Sequence, residues 1–308
     1  MRRIVKLAWI SLVLNVVVIL GGALVRATGS GAGCGRSWPT CQGQMVPERL
    51  EGALAIEFAH RTLSGIALLA VAILFVTIRR TVPHGGDEPG RQLRRASGWA
   101  MVTIIGEALI GAGIVLFEWV NADSSVARTI AVPLHLVNTF LLMGALGLVA
   151  WLAQWRRSVA WTAGHAARGV QWGLGLMVIV AATGAVTALA DTLFPKEAIG
   201  FSNLQTAEAF LTNLRVFHPA IAAAAGLIIV RIVLVRPAGS STRTRIFAST
   251  VVWLVGLQLV AGVLNVVLFV PVWMQLAHLA LADALWVVFV WYAAETMAVD
   301  PQPARVSG

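Results

Sequence analysis

Four of the six histidines, His60, His135, His218 and His278, lie inside long apolar runs, where an imidazole has little water to satisfy it. Ionisable groups in such runs are costly and are usually functional. Glu57 stands three residues before His60 in the stretch Ala-Ile-Glu-Phe-Ala-His-Arg. On a helix that spacing puts the carboxyl and the ring on one face, a turn apart. An acid and a metal ligand would then share one pocket. An internal repeat adds to the pattern. Glu57-Phe-Ala-His60-Arg resembles Arg215-Val-Phe-His218-Pro, and Pro-Leu-His135-Leu-Val-Asn resembles Leu-Ala-His278-Leu-Ala-Leu. Glu107 with Gly111 matches Gln258 with Gly262, each pair just before a His-bearing run. The first half of the chain therefore reads as a degenerate copy of the second.

The elements that must position these residues are membrane spans. The chain has 308 residues, 58% of them hydrophobic and 12% charged, with a mean hydropathy of +0.81. That much apolar surface does not fit one water-soluble core. The net charge of +9 comes from arginines clustered in short segments between apolar runs, a topology signal and not a nucleic-acid surface. The first apolar run, from Leu7 to Val25, is longer than the about 7–15 residues of a cleavable signal and reads as a retained span. Seven more follow at roughly 55–78, 97–119, 128–154, 169–190, 213–235, 247–270 and 272–296, each near the ~20 residues a bilayer needs. Pro271 is the expected break between the last two. Trp99, Trp119, Trp151, Trp155 and Trp161 lie near the ends of runs, as an interfacial belt would. The fold expected is all-α: a polytopic membrane protein of eight transmembrane helices, arranged as two pseudo-symmetric four-helix bundles, 1–155 and 156–308.

Orientation follows from the basic residues. Arg2, Arg3 and Lys6, then Arg79, Arg80, Arg91, Arg94 and Arg95, then Arg156, Arg157 and Arg168, then Arg236, Arg243 and Arg245 fall on one side of such a bundle. The positive-inside rule puts that side, with both termini, in the cytoplasm. All four span histidines then sit a few residues into even-numbered spans, at one depth toward the outer face. His84 and His165 fall in cytoplasmic loops and read as surface residues.

Four imidazoles at one level suit two hemes. Zinc takes three or four ligands at one centre, whereas a porphyrin supplies four nitrogens and needs one imidazole from each side. The pairs expected are His60 with His135 and His218 with His278. Gly21, Gly22, Gly106, Gly111 and Gly113 would let helices, or a flat macrocycle, approach closely. Two bis-imidazole sites also suit a membrane cytochrome b carrying electrons between quinol and a partner. Internal repeats with polar residues in the membrane would serve a transporter.

The segment Gly22-Ala-Leu-Val-Arg26-Ala-Thr-Gly-Ser-Gly31, followed by Cys34, Trp38-Pro39, Cys41 and Gly43 and then by Glu57-Phe-Ala-His60-Arg61, resembles the signature of the heme A synthase family. Eight spans and four histidines in even-numbered spans also belong to that family, so the resemblance covers essentially the whole chain. It implies a heme-dependent oxidoreductase of the cell membrane that oxidises a ring methyl of heme O to the formyl group of heme A by successive hydroxylation. It further implies that His60 and His135 flank the substrate heme, that His218 and His278 bind a heme b cofactor, and that Glu57 is the catalytic acid. A carboxyl among apolar helix faces could hold or deliver a proton, or balance positive charge on the oxidised ring; pairing with Arg61 is its structural alternative. Arg26, Arg61 and Arg215 would meet heme propionates or loop segments. Heme O and its synthase, an electron donor and membrane lipid are the partners implied, and a homo-oligomer is compatible with them; nucleic acid is not.

Cys34 and Cys41 lie in the expected first outward loop and are expected to form a disulfide. Zinc is not expected there, since the chain has 2 cysteines and that loop has no histidine. Some family members carry a second cysteine pair in the third outward loop. The corresponding stretch here, Asp191 to Thr212, has none.

Overall fold

A computed structural model describes residues 1–121, 123–161, 164–193, 207–235 and 239–299, and their side chains except those of 164–166 and 207–216. Among these residues the chain forms the helices α1 (Arg2–Ala27), α2 (Gly52–Thr81), α3 (Glu88–Leu116), α4 (Val126–Trp155), α5 (Gly164–Leu193), α6 (Ala207–Leu234), α7 (Thr242–Val267) and α8 (Val272–Thr296). All 8 are long and apolar enough to cross a bilayer. The protein is an all-α multi-pass membrane protein. Two short strands, β1 (Ser158–Val159) and β2 (Ala298–Val299), pair antiparallel beside the ends of α4 and α8.

Several helices begin earlier than hydropathy suggests, because hydropathy sees only the lipid-solvated part of a helix. The start of α3 is polar. Asp87 caps it by accepting from Gly90 N, Pro89 occupies the first turn, and Arg94 reaches back to donate to the carbonyls of Arg79 and Val82. Ser241 caps α7 in the same way, accepting from Thr244 N. His165 belongs to the opening of α5 and not to a loop. Its side chain lies outside the described residues.

The break before α8 falls where Pro271 stands, and it has a counterpart in the first half. At the end of α3 the amides of Phe117, Glu118 and Trp119 donate to the carbonyls of Gly113, Val115 and Ile114. At the end of α7 the amides of Leu268, Phe269 and Val270 donate to Leu264, Val266 and Asn265 in the same pattern. Glu118 and Phe269 both adopt a left-handed conformation, with φ of 58° and 59°. The repeat read from side chains thus extends to the main chain of the helix ends.

Helix α1 packs on α2 and α4, and α3 also packs on both; α5 packs on α6 and α8, and α7 does likewise. The two sets meet through α4, which lies against both α5 and α8, and through α1 against α8. Small residues permit the close approach. Trp286 Nε1 donates to the Phe140 carbonyl beside Gly144, and Trp291 Nε1 donates to the Gly147 carbonyl. A Cβ on Gly144 would stand 3.2 Å from the Trp286 ring. Leu142, Met143, Leu146 and Trp151 of α4 and Phe289 and Tyr292 of α8 are buried in this seam. The tryptophans near run ends do not all form the expected belt. Trp99 and Trp161 are exposed as a belt requires, but Trp151 is fully buried, and Trp155 packs tilted or edge-on among Trp151, Phe247 and Trp291. Their sequence position near a run end marks the seam between helices, where rings fill space, and not the lipid interface. At the same end Glu295 accepts from Arg157, Arg243 and Ser241, and so ties the end of α4, the start of α7 and α8 together.

Candidate functional site: two histidine pairs and a clamped loop

His60, His135, His218 and His278 lie within the first twelve residues of α2, α4, α6 and α8 as those helices are bounded. Each ring faces a glycine on the preceding helix. A Cβ on Gly22 would stand 3.0 Å from the His60 ring, one on Gly184 would stand 3.0 Å from His218, one on Gly262 would stand 3.4 Å from His278, and one on Gly111 would stand 3.8 Å from His135. The glycines are therefore seats for rings. At Gly22 and Gly184 any side chain would force the histidine to shift. The structure brings His60 and His135 within electrostatic reach of each other, and does the same for His218 and His278. Pro133 in α4 and Pro219 in α6 lie beside two of the histidines and each removes one backbone donor from its helix.

The ring nitrogens have unlike surroundings. Oε2 of Glu107 stands 2.8 Å from Nδ1 of His135 as an ion-pair contact. The other oxygen of Glu107 accepts from Asn138 Nδ2 at 2.6 Å, and that amide also donates to the Thr103 carbonyl. In the second pair, Thr183 Oγ1 lies 3.0 Å from Nδ1 of His218. Since the hydroxyl donates its one proton to the Val180 carbonyl, the imidazole must be the donor in that contact, which leaves Nε2 free as a ligand. The side chain of Gln258 contacts Nε2 of His278 at 3.2 Å. Nδ1 of His60, of His135 and of His278 is buried without a hydrogen bond, the Glu107 oxygen near His135 being close in distance only. Buried polar atoms without partners are uncommon and call for an explanation. Paired imidazoles over glycine seats fit axial ligation of a heme by each pair.

Glu57 is 3% exposed, but its surroundings are not the apolar faces expected from the sequence. Arg61, one turn on, contacts Oε1 at 2.5 Å, and Oε2 accepts from the Cys34 amide at 2.8 Å. Arg61 also donates to the carbonyls of Ser37 and Thr40. Cys34 and Cys41 form a disulfide. The pair Glu57–Arg61 thus grips the disulfide loop by both its edges, and the structural alternative for Glu57 is realised in the contacts. The sequence could not reveal it, because a turn-to-turn pair on one helix can either neutralise itself or share a third partner, and the partner here is loop backbone.

Arg26 does not point into a loop. It donates to the Ala188 carbonyl and Thr192 Oγ1 of α5 and to Gln275 Oε1 of α8, bridging from the first half into the second. Gln275 stands three residues before His278, where Glu57 stands before His60. The side chain of Arg215 lies outside the described residues. His84 is exposed, as expected. Asn138 and Thr183 were missed as functional residues in the sequence. Asn138 was legible as the polar residue one turn after His135 where the repeat has Leu281, whereas Thr183 carries no signal that separates it from other span threonines.

The sequence profile described as cytochrome oxidase assembly protein matches residues 5–54 and 51–290. A protoheme IX farnesyltransferase of Thermus thermophilus is 42% identical over 311 residues, which cover 99% of this chain and 50% of that protein. The heme A synthase of Lysinibacillus sphaericus is 35% identical over 127 residues, 41% of this chain and 39% of that one. The heme A synthase of Geobacillus kaustophilus is 37% identical over 126 residues, 41% of this chain and 38% of that one. The chain thus spans about half the length of the Thermus relative, and the alignments with the heme A synthases span under half of each.

Proposed function

The chain belongs to the cytochrome oxidase assembly protein family, and from that premise we propose that it is a heme A synthase, a membrane oxidoreductase that converts the ring methyl of heme O to the formyl group of heme A. The observation that carries the reading is the arrangement of four histidines as two pairs, each ring on a glycine seat. In this reading residues 1–155 form the half that takes heme O between His60 and His135, and residues 156–308 form the half that holds heme b between His218 and His278. The bound hemes would supply the electron transfer and the oxidising chemistry.

The chain's own residues bind and orient. His60 and His135 fix the substrate between α2 and α4, next to the disulfide loop that Glu57 and Arg61 hold in place. Glu57 lies on the His60 face of α2 and is assigned as the catalytic acid of this half, acting as one member of the pair it makes with Arg61 rather than as a lone charge. Gln258 must release Nε2 of His278 for an iron to be held there, so loading of the second half includes a side-chain rearrangement. Arg215, one turn before His218, is assigned to a propionate of heme b. Arg26 ties the halves together through α5 and α8.

By the distribution of arginines, both termini face the cytoplasm and the histidines face outward. The name protoheme IX farnesyltransferase belongs to a protein of which this chain matches half, so farnesyl transfer does not come across with the match. The match does support a heme O synthase as the partner that delivers the farnesylated substrate. A quinol-linked cytochrome b is the second reading, favoured by the same four histidines. It is separated by product. Expressed in a host that makes heme O but no heme A, this chain should yield heme A in extracted membranes. Membranes that hold the folded protein with heme b and heme O, but never heme A or a hydroxylated intermediate, would favour the cytochrome.

A further inference from the structure

The first half contains a polar assembly that the second half lacks at every corresponding position. Glu107 of α3 contacts Nδ1 of His135 with one oxygen and accepts from Asn138 with the other. Asn138 in turn is anchored by donating to the Thr103 carbonyl. Gly106 makes room for it, since a Cβ there would stand 3.1 Å from the Asn138 amide. The repeat puts Leu257, Gln258 and Leu281 where the first half has Gly106, Glu107 and Asn138. Leu257 is exposed, and Gln258 meets the opposite nitrogen of its histidine. The seat, the carboxylate and the amide that orients it occur together or not at all.

We propose that Glu107, oriented by Asn138, is a positioning residue that acts through His135 to make the iron site of the first half more electron-rich than that of the second. The assignment rests on the reading of His135 as an axial ligand of the substrate heme. The contact is one of distance without hydrogen-bond geometry, yet a carboxylate charge 2.8 Å from Nδ1 favours the tautomer that carries its proton there and leaves the Nε2 lone pair for the metal. A negative charge behind that proton raises the basicity of the ligand, as carboxylate–histidine pairs do at metal sites generally. A stronger donor stabilises the oxidised iron. A neutral amide in place of the carboxylate would not do this, and at His278 the corresponding amide approaches the nitrogen that the metal itself requires. The two sites would therefore differ in reduction potential, with the lower potential at the site where the substrate is held.

The test is a spectroelectrochemical titration of the protein isolated with both hemes, together with the low-spin electron paramagnetic resonance signal of each. The component belonging to the first half is the one absent from the His60→Ala protein. Glu107→Gln should raise the potential of that component by about tenfold in the oxidised-to-reduced ratio, about 59 mV for one electron, and leave the second component where it was. Glu107→Asp should restore part of the shift. Asn138→Leu keeps every charge and so decides the matter if Glu107→Gln fails to retain its heme. It should move the same component in the same direction by less. Two hemes bound with the first component unmoved in both Glu107→Gln and Asn138→Leu would overturn the assignment while leaving the heme A synthase reading intact. A wild-type protein that takes up no heme between His60 and His135 would overturn that reading itself, and this assignment with it.

Discussion

Glu57 and Glu107 place two carboxylates around the histidines of the first half, whereas the equivalent positions of the second half hold Arg215 and Gln258. The halves share the left-handed residue that ends α3 and α7 and the glycine beneath each ring. A duplicated bundle offers two histidine pairs, and among the described residues only the first has carboxylates beside it, one of them matched by Arg61 and the other placed 2.8 Å from His135. In the proposed reading, that contrast separates a pocket for chemistry from a pocket for a resident cofactor. It also has a structural side. In the first half the acid at Glu57 is tied to the disulfide loop through Arg61 and Cys34.

The comparison is broken most severely at the histidines proposed as axial ligands. His218→Ala or His278→Ala should abolish the low-spin heme b of the second half, read as heme b per chain in a pyridine hemochrome, and leave uptake of substrate heme between His60 and His135. Recovery of a full complement of unchanged heme b would dissolve the pairing.

Next in size is Glu57→Gln. Removing the charge of a buried pair that also holds the Cys34 amide should stall oxidation, with heme O or its hydroxylated product accumulating while the heme b spectrum is unchanged. Reverse-phase separation of extracted hemes measures it, and normal yields of heme A would mean that Glu57 only fastens the loop.

Breaking the disulfide is a milder change. Cys34→Ser removes a cross-link whose loop-closure contribution is about 2.5 kcal/mol by chain entropy. The loop should then become accessible to protease at a denaturant concentration the parent withstands, with heme b retained. Equal protease resistance would show that Glu57 and Arg61 alone order the loop.

The smallest effect is expected between the halves. Arg26→Gln loses hydrogen bonds from a charged donor to α5 and α8, each worth about 1.5–3 kcal/mol where buried, but the seam of α4 against α8 persists. Thermal unfolding should begin a few degrees lower with both hemes still bound. No change in onset would show that the bridge is incidental to the seam.

Much of this was legible in the sequence because membrane burial leaves a one-dimensional trace. Apolar runs give the spans, and a His inside a run stands out from its neighbours. The repeat gave a second reading of each site, which is why Glu107 and Gln258 could be matched before their contacts were known. What the sequence hides is tertiary. Whether Trp151 faces lipid or another helix depends on which side of α4 meets α8. Whether Glu57 is solitary or paired depends on where a loop more than twenty residues upstream returns. Helix starts such as that of α3 were hidden for a different reason: a capped, arginine-rich turn outside the bilayer is helical without being apolar.

The central claim, two heme sites of unequal purpose on one repeated scaffold, is tested most directly by counting and typing the hemes in the purified wild-type protein from a host that supplies heme O. Two hemes per chain, one of b type and one of O or A type, with the latter lost in His60→Ala and the former lost in His278→Ala, is the expected result. A single heme per chain, or two of b type that are lost together in either variant, would contradict it.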